Sequence, residues 1–228
     1  LVCVGMSWIV LSAVGCLPFY ISREIPGYID CFFEMVSGFT TTGASIVPAV
    51  EELSKGILYW RSFSHWLGGM GVLVFLLALS PSGGGKGFTM HLMRAEVPGP
   101  SVGKLVPKMR TTAAILYIIY IVMTILNFVF LVIGDMPLFD ALCHAFATAG
   151  TGGFSTQTAG IAHYNSAYID GVIATFMILF GINFNLYYML LIKRFRAASQ
   201  CTECWYYLGI VGIAVAAITA NILPVYNN

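Results

Sequence analysis

The chain reads as an all-α integral membrane protein made of tandem helix–re-entrant loop–helix repeats. Three observations lead there. Hydrophobic residues fill 58% of 228 positions and charged residues only 9%, against about 25% charged in a soluble domain. Five apolar stretches are long enough to cross a bilayer. Two shorter ones, each running into a Thr/Gly loop, lie between them and match each other at a fixed offset.

A spanning helix needs about 20 mostly apolar residues. Residues 1–21, 57–79, 112–134, 168–192 and 205–224 meet that length. Residues 28–39 and 138–149 do not. Pro26 and Pro137 precede the short segments, and proline suits a first helical turn. Asp30 and Asp140 fall in that turn, where a negative charge favours the helix dipole. Irregular backbone at membrane depth survives only when enclosed by protein or lining a wet cavity. Each short helix and its loop therefore reads as a re-entrant pore loop.

The two loop regions align without a gap at an offset of 110 residues. Asp30 pairs with Asp140, Thr41 with Thr151, Gly43 with Gly153 and Ser45 with Ser155. The resulting plan is a first repeat over 1–80, a cytoplasmic linker over 81–111, a second repeat over 112–193 and a cytoplasmic loop over 194–204. Residues 205–228 then read as the first helix of a third repeat, cut before its loop. The N-terminus also reads as truncated, since Leu1 opens inside an apolar run.

Charge sets the orientation. Lys86, Arg94, Lys104, Lys108, Arg110, Lys193, Arg194 and Arg196 fall on one side, Arg23, Lys55 and Arg61 on the other. Basic residues concentrate on the cytoplasmic side. Eight of the ten acids fall outside, Glu96 and Glu203 inside. Both loops thus open to an acidic outer face, which raises local cation concentration; the same acids can equally cap helices and solvate loops. No basic cluster interleaved with aromatics is present, which sets nucleic-acid binding aside.

A dehydrated K⁺ needs a ring of oxygens, and potassium filters supply backbone carbonyls. Turning successive carbonyls one way requires positive φ, which glycine adopts freely. Threonine is stiff and holds an extended loop. Thr41, Thr42, Gly43, Thr151, Gly152 and Gly153 are the candidate filter residues, with K⁺ at Thr42, Gly43, Gly152 and Gly153. Thr-Gly after a helix is also an ordinary glycine cap, but two loops in register between full spans favour the pore-loop reading.

Other features invite rival readings. Cys201-Thr-Glu-Cys204 has redox spacing, which keeps a membrane thiol oxidoreductase as an alternative; no second CxxC or His pair completes a zinc site. A non-conducting structural half-subunit is another alternative. Ser82-Gly-Gly-Gly-Lys86-Gly87 fails as a phosphate loop, because Gly87 replaces the Ser or Thr that follows the lysine. Arg61 and Trp66 read as headgroup anchors of the second span, and Gly68, Gly69 and Gly71 as packing positions against the filter. Glu34 is expected to face protein or water rather than lipid. Asn183 and Asn185 read as interhelical hydrogen bonders or pore-lining groups.

An ordered set of motifs carries a family resemblance: Phe32–Ser45, Trp60-Arg61-Ser62, His65–Gly71, Arg94–Pro100, Gly152–Thr156 and Gly181–Phe184. On these the chain resembles the TrkH/TrkG branch of the Trk/Ktr/HKT potassium transporter superfamily. The resemblance implies a potassium-channel-like pore of four repeats, with one filter glycine each; Gly43 and Gly153 are the positions carried over. In related plant transporters serine at the first filter position accompanies sodium transport, so Gly43 implies potassium. It further implies a multi-pass protein of the bacterial inner membrane, in contact with lipid and not an enzyme. A homodimer, a cytosolic nucleotide-binding regulatory subunit resembling TrkA, and no cofactor beyond the transported K⁺ are also implied. The family's gating loop and pore-blocking arginine belong to the third and fourth repeats, outside this sequence.

Overall fold

The computed structural model describes residues 2–71, 109–194 and 201–226. Described secondary structure is helical, with no strand among these residues. The chain divides into two compact units, Leu1–Gly181 and Ile182–Asn228.

In the first unit, α1 (Val2–Gly15) and α2 (Leu17–Ser22) make up the first apolar run. They separate at Cys16, with Pro18 in the first turn of α2. The chain turns at Arg23, in the left-handed region at φ 58°. α3 (Tyr28–Phe39) buries Cys31, Glu34, Met35, Gly38 and Phe39, a 3–4 spacing that makes one helical face. That face packs with Cys16, Phe19, Ile57 and Leu58. α4 (Lys55–Gly69) follows Ser54, whose backbone N–H and hydroxyl both donate to the Glu24 carboxylate at 2.7 Å.

The second apolar run is described only to Gly71. Residues 72–108, with the glycine-rich stretch and most of the basic linker, lie outside the described residues, as does Arg196. α5 (Met109–Ile133) is followed by α6 (Leu138–Ala149) and α7 (Ala167–Gly181). Leu131, Met136, Ala141, Ala145, Ile169 and Ile173 form the core that joins them. The bounds of α3 and α6 stand 110 residues apart at both ends.

The run 168–192 does not form one helix. It stops at Gly181, and α8 (Phe184–Leu191) starts anew in the second unit. Asn183 causes the restart: its Oδ1 accepts from the Asn185 N–H at 3.0 Å, as a helix N-cap does. The second unit also holds α9 (Thr202–Tyr226), and Asn183 Nδ2 donates to Glu203 at its start at 3.2 Å. Among the described residues, three segments are long and apolar enough to span a membrane: Gly5–Ser22, Ala113–Ile133 and Thr202–Ile222.

Candidate functional site

α3 and α6 end in the same way. Thr41 N–H donates to Gly38 O and Thr42 N–H to Ser37 O, at 3.1 and 2.9 Å. Thr151 N–H donates to Thr148 O and Gly152 N–H to Ala147 O, at 2.9 and 3.1 Å. Each pair is the 5→2 and 6→1 pattern of a Schellman cap. The capping residue in the left-handed region is threonine both times, at φ 55° for Thr41 and 54° for Thr151. A β-branched residue there is a strained outlier. Two residues on, Gly43 and Gly153 return to positive φ at 76° and 83°. The glycines are therefore not the helix caps. They repeat the left-handed conformation further along loops that threonine has already turned.

The loops meet each other. A Cβ on Gly43 would collide with the Gly152 carbonyl oxygen. Thr42, Thr151 and Gly153 are exposed, while Thr41, Gly43 and Gly152 are half-buried. All six candidate filter residues thus lie in two adjoining loops with an open side.

The same brace supports each loop. Ser45 Oγ donates to Glu34 at 3.0 Å, and its counterpart Ser155 Oγ bonds His144 Nε2 at 3.0 Å. Val47 N–H and Gln157 N–H close onto those serines at 3.2 and 3.0 Å. Glu34 and His144 hold matched positions on the two helices, so acid and imidazole do the same mechanical task.

α4 packs against both loops. Arg61 donates through Nε to Glu34 and through Nη1 to Ser155 O at 2.9 Å. It is buried, and its guanidinium lies 3.7 Å above the Phe154 ring. His65 stacks on the same ring at 3.9 Å. Trp66 Nε1 donates to Thr124 and its carbonyl accepts from Tyr120. Neither Arg61 nor Trp66 is a headgroup anchor: both turn inward and tie α4 to its neighbours. Phe154 lies in the Gly152–Thr156 motif and contrasts with Ala44 at the matched position, but neither signal gives it this bridging role. The glycine-packing expectation holds at Gly68, which faces the Phe39 carbonyl, and at Gly69, whose added Cβ would come within 2.9 Å of Gly150 Cα.

Beyond the two loops, Thr158 donates its N–H and hydroxyl to Glu51, and Val50 N–H donates to Thr158 Oγ1 at 3.0 Å. These bonds from Thr158 hold the Glu51 carboxyl below its usual range. Glu24, Glu34 and Glu51 are thus all engaged in hydrogen bonds. Cys201 and Cys204 are free thiols, and no cluster of His, Cys, Asp and Glu among the described residues could hold a metal ion.

Comparison with known proteins gives a consistent picture. The TrkH family, described as cation transport protein, matches residues 1–210. The Trk system potassium uptake protein TrkH of Salmonella typhimurium is 41% identical over 194 residues, covering 84% of this chain and 40% of the relative. The TrkG protein of Escherichia coli is 37% identical over 191 residues, 83% of this chain and 39% of its own length. The crystal structure of the potassium transporter TrkH from Vibrio parahaemolyticus superposes with a TM-score of 0.67 at 34% identity, over 82% of this chain and 37% of that one. The chain thus spans about 40% of the length of the curated relatives it matches.

Proposed function

Because the chain belongs to the TrkH family of cation transport proteins, we propose that it supplies two of the filter loops of a potassium uptake pore. The carrying observation is the shared backbone of the loops: left-handed at Thr41 and Gly43, and again at Thr151 and Gly153. Ordinary helix caps place one residue there, with glycine favoured. Strained threonine in the same place twice points to a function that needs it.

In this reading the carbonyls of Thr41–Gly43 and Thr151–Gly153 replace the water around K⁺. The ion sits against Thr42, Gly43, Gly152 and Gly153. α3 and α6 end at the loops, so their negative dipole ends favour a cation there. The buried Arg61 neutralises Glu34, and the pair fixes both loops to α4 rather than meeting the ion. The protein is a multi-pass protein of the bacterial inner membrane, acts without covalent chemistry, and works in its full-length form as a homodimer with a cytosolic nucleotide-binding regulatory subunit. The 81–111 linker is the segment offered to that partner or to anionic lipid.

The test is Gly43→Ser in the full-length protein, with K⁺ and Na⁺ uptake measured in cells lacking other uptake systems. The expected result is a fall in K⁺ over Na⁺ discrimination. Unchanged discrimination would sink the filter assignment.

A further inference from the structure

A cavity of about 310 Å³ lies beside the second loop, with His144, Thr148, Gly153, Ser155, Ile173 and Met177 among its walls. The internal repeat says what the matching place holds in the first repeat. α3 and α6 correspond at an offset of 110. α4 and α7 are both 15 residues long and correspond at 112: each follows a serine whose carbonyl accepts the first helical bond, Leu58 N–H to Ser54 and Asp170 N–H to Ser166, at 3.0 and 3.1 Å.

Under those offsets Thr148 answers to Gly38, Ile173 to Arg61 and Met177 to His65. Gly38, Arg61 and His65 are the residues that enclose the Phe154 ring. An added Cβ on Gly38 would be 3.7 Å from that ring, the guanidinium is 3.7 Å from it, and the imidazole stacks at 3.9 Å. Phe154 is the residue after the second filter glycine. It crosses to fill a site made by the first repeat and is 2% exposed. Thr148, Ile173 and Met177, at the matching positions of the second repeat, all line the cavity, together with Phe154 itself and residues 159–162.

We propose that this cavity is a socket for an apolar aromatic side chain from the loop of a third helix–loop repeat, at the position directly after that loop's filter glycine. The proposal rests on the filter reading above. The chemistry of the socket differs from that of its predecessor. Ile173 stands where Arg61 supplies a cation and a donor, so the joint to the third loop has neither the stacked guanidinium nor the bond to a loop carbonyl. Met177 stands where His65 stacks, and a thioether against a ring edge is a favourable, adaptable contact. The second joint is held by apolar packing and the first by charge.

The experiment is cysteine cross-linking in the full-length protein in membranes, on a cysteine-free background. The control pair is His65→Cys with Phe154→Cys. The test pair is Met177→Cys with a cysteine directly after the third filter glycine, and Ile173→Cys replaces Met177→Cys in a second version. We expect both test versions to oxidise to an intramolecular disulfide with yields like the control. Loss of the cross-link in both, while the control forms, overturns the proposal. So does a disulfide joining two copies of the protein through residue 177, or free alkylation of that cysteine by a membrane-permeant maleimide. Gly43→Ser discrimination is measured alongside: if it changes while the cross-link is absent, the socket fails and the filter stands, and the converse result separates them the other way.

Discussion

The Arg61 guanidinium donates from Nε to the Glu34 carboxylate with the two side chains 3% and 0% exposed. Removing one partner of a buried pair leaves an uncompensated charge and costs about 3 kcal/mol or more, whereas replacing both with apolar or neutral groups costs far less. Arg61→Met and Glu34→Gln are each expected to lower the thermal stability of the purified full-length protein strongly. The double variant is expected to recover much of the loss. Thermal unfolding of all four proteins in one detergent checks this, and a double variant no better than the worse single would contradict it. Arg61 also holds Ser155 O, so recovery is expected to be incomplete.

The four glycines of the two proposed filter loops differ in what forbids a side chain. Gly43 combines positive φ with collision against the Gly152 carbonyl. A Cβ added to Gly152 would meet the His65 ring, and one added to Gly150 would come within 2.6 Å of the His65 carbonyl oxygen. Gly153 has positive φ but open space around it. The offset alone points to Gly153 as the most sensitive position of the second loop. The geometry orders them differently. Alanine is expected to damage K⁺ uptake most at Gly43, then at Gly150 and Gly152, and least at Gly153, where only the left-handed penalty of about 1–2 kcal/mol applies. Gly153→Asn is expected to be milder still, since asparagine tolerates that conformation. Uptake rates normalised to membrane expression give the order.

Elements were legible where the chain punctuates itself. Residues 28–39 and 138–149 read as short helices from proline, aspartate and the Thr/Gly turns, and the structure sets α3 and α6 at those bounds. The break at Ile182 was written too, in Gly181 and Asn183, a stop followed by a cap. It was lost because a sum of apolar residues across 168–192 outweighs two local signals. The Arg61 contacts were not legible. Glu34 is 27 residues away and Ser155 is 94. No local periodicity encodes such pairs, and an arginine near a helix start reads equally as a headgroup anchor. The brace through Ser45 and Ser155 was half legible: the offset matched the residues, and only the fold showed that they touch Glu34 and His144.

The Glu51–Thr158 clip gives a pH dependence with a definite sign. Hydrogen bonds from Thr158 depress the Glu51 carboxyl relative to its ordinary value of 4.5. A depressed carboxylate adds stability that is complete above the unfolded value and is lost as the pH falls through the folded one. Glu51 is exposed at the surface, so the effect is small and screened by salt. Wild type is expected to exceed Glu51→Gln in melting temperature at neutral pH, with the gap closing below the ordinary value. A gap that widened on acidification would contradict the clip.

Threonine at the helix caps gives the sharpest test of whether the strain serves a function. Thr41 and Thr151 hold φ of 55° and 54°, where glycine is free of the steric penalty. Thr41→Gly and Thr151→Gly therefore relieve about 1–2 kcal/mol of strain. Part of that is offset by the added freedom of glycine in the unfolded chain, about 0.4–1 kcal/mol. The net expectation is a protein as stable as wild type or slightly more so. Function is expected to move the opposite way, because a stiff β-branched residue limits how the following carbonyls can tilt. Sodium competition against K⁺ uptake should rise in both variants while thermal stability is kept. If discrimination is unchanged and stability rises, the threonines add nothing that glycine lacks. If stability falls instead, the left-handed cap is not the conformation these residues hold in the working protein.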